Sequence, residues 1–319
     1  MYLPFRVSVL RSERITPNFQ RVTFTGVDQM GPARVIRDLR IKIILPGVQG
    51  LPDLPASPEA INIRRALPSD ERGIMRTYSV RDVRRPESSD RGSQGPAELD
   101  IDFVLHTDEH GHSGPASRWA EEAKPGDELF VIAPSIDDDS GVGIEFSPGN
   151  CKTVQLYGDE TALPAIAKTL SEWPEDTTGE AFIEVPSADD KQSFDVPDGV
   201  NIHWLVRERD TADHGELLLS ALEAAARSTQ SGSEPCEQPQ VDDSADEASA
   251  MVWETPQFSR SGEDIAPVEH AEADNVYYWI AGESGAVTAM RRLLVQERGV
   301  PRQCVSFMGY WKKGIAHKG

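Results

Sequence analysis

The strongest constraint on the fold of this 319-residue chain is a change of sequence grammar near residue 150. Before it, short runs alternate apolar and polar side chains, as in Phe5-Arg6-Val7-Ser8-Val9, parts of Phe19 to Phe24, Ile41-Lys42-Ile43 and Leu99-Asp100-Ile101-Asp102-Phe103. Such alternation turns one face of a strand to a core and the other to water, and it predicts an antiparallel β-barrel or sandwich. After it, apolar strands (153–157, 181–185, 202–206, 276–280 and 304–307) alternate with helices (162–173, 216–226 and 287–297). That order predicts a parallel sheet covered on both faces, a nucleotide-binding arrangement. The expected domains are 1–136 and 150–319.

Charge is divided as unevenly as the grammar. The chain carries −21 overall, yet residues 1–136 hold 18 Lys and Arg against 19 Asp and Glu, leaving 14 against 34 in the remainder. A surface of this sign repels nucleic acid, and local basic clusters gain significance. No run approaches the ~20 apolar residues of a membrane span, and Met1-Tyr2-Leu3-Pro4 opens into a strand pattern with no signal-peptide profile. A cytoplasmic protein is expected. Cys151, Cys236 and Cys304 are too far apart for a zinc or iron–sulfur motif, so redox chemistry must come from an organic cofactor. Residues 228–274, with 12 acidic side chains against one Arg, read as a mostly irregular, dispensable insertion.

Arg76-Thr77-Tyr78-Ser79 reads as a strand that puts Arg76 and Tyr78 on one face and Thr77 and Ser79 on the other. An Arg fork grips a diphosphate, a Tyr ring stacks on a planar ring system, and a Ser hydroxyl bonds a ring nitrogen. Flavin adenine dinucleotide has all three parts. The segment from His106 to Ala120 ends a strand and starts a helix at Gly114-Pro115, aiming the Ala116 and Ser117 amides at a phosphate. His106, His110 and His112 lie among glycines that prevent alignment on a helix, and no metal site is expected. Gly158-Asp159-Glu160-Thr161 joins a buried strand to a helix without the G-x-G-x-x-G fingerprint, and it marks a ligand-binding strand end. Gly282-Glu283-Ser284-Gly285-Ala286 lacks the last glycine of a nucleophile elbow and reads as a second such turn. Arg207 and Arg209 follow a strand where a 2′-phosphate could be met, with Glu208 between them, so NADPH and NADH both stay open. Tyr310 and Trp311, followed by Lys312 and Lys313, are expected to pack on the flavin edge.

In order along the chain, Ile41 to Pro46, Arg76 to Arg81, His106 to Ala120, Gly126-Asp127, Gly158 to Ala165, Trp279 to Glu283 and Gly309 to Gly314 resemble the siderophore-interacting protein family, flavin-dependent ferric-siderophore reductases related to ferredoxin reductases. The resemblance implies an N-terminal antiparallel Greek-key barrel for FAD and a C-terminal Rossmann-like domain for NAD(P)H. It assigns Arg76, Thr77, Tyr78 and Ser79 to the flavin, with Tyr78 and Ser79 nearest the chemistry, and His106, Ala116 and Ser117 to the phosphates. Asp159 and Thr161 fall to the nicotinamide cofactor, Trp311 to the cofactor site, and Lys42, Lys312 and Lys313 to an anionic ferric siderophore, on which the three are expected to converge. The family pattern is departed from at Ala133-Pro134-Ser135, where Gly-Pro is expected, and in the length of the 228–274 insertion. Two other readings are a flavin reductase serving a protein acceptor such as a separate ferredoxin, and a non-catalytic siderophore carrier.

Overall fold

A computed structural model describes residues 1–86, 95–106, 113–228, 252–256, 258–259 and 275–314. Over the described residues the chain divides into two compact units, Met1–Ile144 with Ala167–Glu172, and Glu145–Ile166 with residues 173–314.

The first unit is built from β1 (Tyr2–Thr16), β2 (Phe19–Thr25), β3 (Arg40–Leu45), helix α1 (Ala60–Ala66), β4 (Ile74–Ser79), β5 (Asp82–Arg84), β6 (Glu98–Val104), helix α2 (Pro115–Glu122) and β7 (Glu128–Pro134). The strands form an antiparallel sheet in the order β4-β3-β7-β1-β2-β6-β5, the barrel domain expected from the alternation. Val7, Val22, Phe24, Ile41, Ile43, Leu99, Ile101, Phe103 and Val131 meet in its core. The residues between them face outward. On β6, Asp100 takes both arms of the Arg84 guanidinium at 2.6 and 2.8 Å, and Asp102 takes those of Arg21 at 2.6 and 2.8 Å. Burial disfavours an ionised Asp100, but the Arg84 fork and the Thr23 hydroxyl outweigh it and hold the carboxyl below the usual carboxylate range.

The second unit contains β8 (Thr153–Gly158), α3 (Leu163–Ser171), β9 (Thr178–Val185), β10 (Val200–Val206), α4 (Arg207–Asp210), α5 (Glu216–Ser228), β11 (Trp253–Thr255), β12 (Phe258–Ser259), β13 (Val276–Glu283), α6 (Ser284–Arg291) and β14 (Val305–Trp311). β10-β9-β8-β13-β14 run parallel, so the five strands follow the 3-2-1-4-5 order of a Rossmann-like sheet. The order reverses between β8 and β13, and their carboxyl ends define the ligand crevice of such a sheet. Tyr277, Tyr278, Trp279, Ile280 and Ala281 of β13 are all buried, as its unbroken apolar run requires. Tyr310 and Trp311 belong to β14 itself and do not trail behind it.

The reading of 228–274 as an irregular appendage needs correction. Trp253 and Glu254 pair antiparallel with Met308 and Phe307, and the Gly309 amide donates to the Val252 carbonyl at 2.7 Å. Glu254 also accepts from Arg291 at 2.8 Å and pairs with Arg302 at 3.1 Å. A three-residue strand disappears in the average composition of a long acidic stretch, and its pairing partner lies some 50 residues downstream. Most of the stretch lies outside the described residues.

Candidate functional site

In the first unit, β4 occupies an edge of the sheet, and its alternation is as the sequence requires. Tyr78 lies opposite Ile41 and Arg76 opposite Ile43, whereas Thr77 lies opposite Lys42 and Ser79 opposite Arg40. The half-buried Tyr78 ring packs against Phe103 with centroids 4.6 Å apart, and burial pushes its hydroxyl above the usual tyrosine range. Phe103 therefore lies against the ring that was expected to stack on flavin. Arg76 Nη1 donates to its neighbour's Met75 carbonyl at 2.8 Å, the guanidinium's one hydrogen bond among the described residues. Four of its five donors remain for an anion. Thr77 is exposed, and the buried Ser79 hydroxyl makes no hydrogen bond among the described residues.

The α2 helix begins as expected. Gly114 is its extended N-cap, Pro115 its first residue, and no side chain caps the first turn. Space around Gly114 is open. Ala116 is packed into the barrel core, and the buried Ser117 donates its hydroxyl to the Val104 carbonyl at 3.1 Å, which locks the helix start onto the end of β6. The Ser117 side chain is thus structural, and its backbone amide is the part left for a phosphate. His106 is exposed at the end of the same strand, and His110 and His112 lie outside the described residues. Among the described residues no group of three or more His, Cys, Asp or Glu could hold a metal ion.

In the second unit, the switch point is organised by Asp159, at the carboxyl end of β8. Its Oδ1 accepts from the Thr161 amide at 2.9 Å and the Thr161 hydroxyl at 2.5 Å. Its Oδ2 accepts from the Glu283 amide at 2.8 Å and from Trp311 Nε1 at 2.8 Å. All four lone-pair positions of the carboxylate are filled by the chain. Gly282, at φ +149°, allows this approach, because a Cβ there would lie 2.6 Å from Asp159 Oδ2. Burial, and then the neighbouring Glu160, raise the Asp159 carboxyl above its usual range. The sequence assigns Asp159, Thr161 and Trp311 to the cofactor. Together they form a clasp that ties together the ends of β8, β13 and β14, and the Trp311 ring meets His214 edge to face at 4.9 Å.

Beside the clasp lies a buried ion triad that sequence reasoning missed. Arg207 grips Glu160 with both arms at 2.7 and 2.8 Å and reaches Glu184 at 3.0 Å. Glu184 also accepts the Gly215 amide at 2.8 Å. Burial raises the Glu184 carboxyl, opposed by the Gly215 amide and Arg207; burial works against the Arg207 charge too, but Glu160 and Glu184 raise it on balance. Arg207 is therefore consumed internally and is not the 2′-phosphate contact considered from the sequence. Adjacent Asp159 and Glu160 at a strand end were the available signal that a buried cation must lie close by.

Of the expected substrate lysines, Lys42 is half-buried on β3, Lys312 is half-buried, and the exposed Lys313 sits 3.5 Å from Asp213 with its amide on Glu283 Oε1 at 3.2 Å.

Residues 8–138 match the siderophore-interacting FAD-binding domain, and residues 151–314 match the siderophore-interacting protein domain. The chain belongs to the siderophore-interacting protein family. Among its relatives, the ferric vibriobactin reductase of Vibrio cholerae is 27% identical over 98% of this chain and 90% of its own. The crystal structure of a siderophore utilization protein from T. fusca aligns with a TM-score of 0.63 at 28% identity, covering 98% of this chain and 94% of that one. The ferredoxin reductase of carbazole 1,9a-dioxygenase, at 16% identity and a TM-score of 0.56 over 97% of this chain and 68% of that one, shares the fold. The barrel is the FAD-binding domain, and this family member is a flavin-dependent oxidoreductase with NAD(P)H as electron donor. Among the described residues no helix is long and apolar enough to cross a membrane.

Proposed function

We propose that the protein is a ferric-siderophore reductase that draws electrons from NAD(P)H and delivers them to siderophore-bound Fe(III), releasing Fe(II) for iron assimilation in the cytoplasm. The observation that carries this reading is one chain holding both family domains, with an Arg76–Ser79 edge strand whose guanidinium and hydroxyl are largely uncommitted. FAD, when bound, accepts a hydride from NAD(P)H and supplies single electrons. Arg76 holds the diphosphate, aided by the Ala116 and Ser117 amides and by His106. Tyr78 and Thr77 border the ring system, and Ser79 donates to a ring nitrogen. In the second unit, Asp159 and Thr161 shape the crevice for the nicotinamide cofactor by fixing Trp311 and the Glu283 turn. Lys42, Lys312 and Lys313 attract the anionic siderophore. Hard oxygen donors hold Fe(III) far better than Fe(II), so reduction loosens the metal without any protein ligand to it.

The test is anaerobic. NADH or NADPH should bleach the flavin absorbance of the purified protein, and a ferric siderophore should then restore it with Fe(II) appearing in a chelator trap. Restoration by a ferredoxin alone, with ferric siderophores inert, would move the assignment to a reductase serving a protein acceptor. Absence of bound flavin would leave a siderophore carrier.

A further inference from the structure

Lys42 does not stand alone. On β3, Arg40 and Lys42 share the face turned away from the barrel core, because Ile41 and Ile43 point into it. The next residue on that outer face, Ile44, packs with Leu54, Phe130, Ile132 and Ala60, the first residue of α1. Helix α1 therefore lies against the outer face one step along from Lys42. Ala60 and Arg64, four residues apart, form its buried side, so Arg64 is carried inward beside the strand and Arg65 follows it at the exposed surface. Arg64 satisfies its guanidinium with carbonyls, those of Arg72 at 2.8 Å and Gly73 at 3.0 Å, and Arg72 in turn donates to the Leu67 carbonyl at 2.6 Å. Carbonyls orient these cations and leave their charge uncompensated. Among the described residues no carboxylate lies within ion-pair distance of Lys42, Arg64, Arg65 or Arg72. In a chain of net charge −21 this is an anomaly that needs an occupant. Burial, and then Arg40, Arg65 and Arg64, hold the Lys42 ammonium below the usual lysine range, as mutual repulsion requires.

We propose that α1 is a specificity element, and that Arg65, with Arg64 beneath it, extends the Lys42 face into a cationic platform that selects ferric complexes of multiple negative charge, such as tris-catecholates, over neutral tris-hydroxamates. This rests on the ferric-siderophore reading above and narrows its substrate class. A neutral complex gains nothing from the platform, whereas each negative charge on the ligand relieves repulsion already present among the cations. Arg64 is a positioning residue here, since its hydrogen bonds to the 72–73 carbonyls hold the end of the β3–β4 connection against the helix. Arg65 is the direct contact.

Gallium(III) complexes separate binding from turnover because they are not reduced. Calorimetry on the FAD-loaded protein should show the trianionic gallium tris-catecholate binding at least tenfold more tightly than the neutral gallium tris-hydroxamate at low salt, with the preference shrinking as salt rises. Arg65→Ala, an exposed change that leaves the fold untouched, should weaken the trianionic complex roughly two- to fivefold and the neutral one negligibly. Adding Lys42→Ala should bring the loss to on the order of tenfold and flatten the salt dependence. Equal affinity for the two complexes, or an Arg65→Ala protein with parental preference and salt slope, would overturn the inference while leaving ferric reductase activity intact. Failure of either complex to bind, in a protein whose flavin NAD(P)H still reduces, would instead defeat the broader functional reading.

Discussion

Replacing Arg207 with Met removes the guanidinium that grips the buried Glu160 and Glu184 carboxylates while keeping most of the side-chain volume. Three hydrogen bonds of 2.7, 2.8 and 3.0 Å are lost. The two glutamates do not suffer equally. Glu184 keeps the Gly215 amide at 2.8 Å, whereas Glu160 loses a two-armed guanidinium and has His214 at 3.8 Å beside it. Breaking a buried pair in this way costs about 3–5 kcal/mol, a large share of the ~5–15 kcal/mol that holds a domain folded. Five of the six tryptophans (Trp173, Trp204, Trp253, Trp279 and Trp311) belong to the second unit, so tryptophan fluorescence during urea or thermal unfolding reports mainly on the affected part. At ~2–4 °C per kcal/mol for a unit of this size, the thermal midpoint should fall by roughly 6–20 °C. The pH dependence supplies a second reading. The Glu184 carboxyl, already raised in the folded state, rises further without Arg207, so the folded protein binds protons more readily than the unfolded chain above the ordinary glutamate value. Stability then falls as pH rises through that window, and the deficit of the variant should shrink as pH is lowered from 7 toward about 5. Combining Arg207→Met with Glu160→Gln should recover most of the loss. A deficit under about 1 kcal/mol at neutral pH, or one that grows on acidification, would refute the argument.

Three further outcomes are expected. Arg76→Ala should weaken FAD retention about tenfold or more, since a charge-assisted phosphate contact is worth ~1.5–3 kcal/mol, and equal flavin occupancy in variant and parent would remove Arg76 from the site. Asp159→Asn places an amide against two donors in either orientation and should cost on the order of 2 kcal/mol; its distinguishing sign is a shift in the Trp311 emission, and an unaltered spectrum would mean that the clasp does not hold the indole. Deleting residues 229–251 should be tolerated, whereas a deletion running through 259 removes β11 and strips Glu254 from Arg291 and Arg302, so comparable thermal midpoints for the two deletions would contradict the pairing described.

Much of this protein was legible before any tertiary contact was known, and the legible part is local. Alternation in Leu99-Asp100-Ile101-Asp102-Phe103 and the unbroken apolar run of Val276 to Ile280 each report how many faces of a strand are buried, which is why the antiparallel and parallel units could be told apart. Gly114-Pro115 announced a helix start because a proline at the first position and an open cap are properties of the backbone alone. What residues do with their partners was not legible. Arg207 looked like a phosphate contact until its guanidinium was found between Glu160 and Glu184, 47 and 23 positions away in sequence. Asp159 and Trp311, separated by 152 positions, read as two unconnected cofactor contacts, and a hydrogen bond joins them. Trp253 to Thr255 read as part of an acidic linker until the free edge of β14 gave it a partner. Periodicity encodes burial because each residue's exposure follows from its own position on a strand or helix; the pairing of charges and the filling of lone pairs depend on which distant segments the fold brings within about 3 Å, and only the tertiary structure decides that.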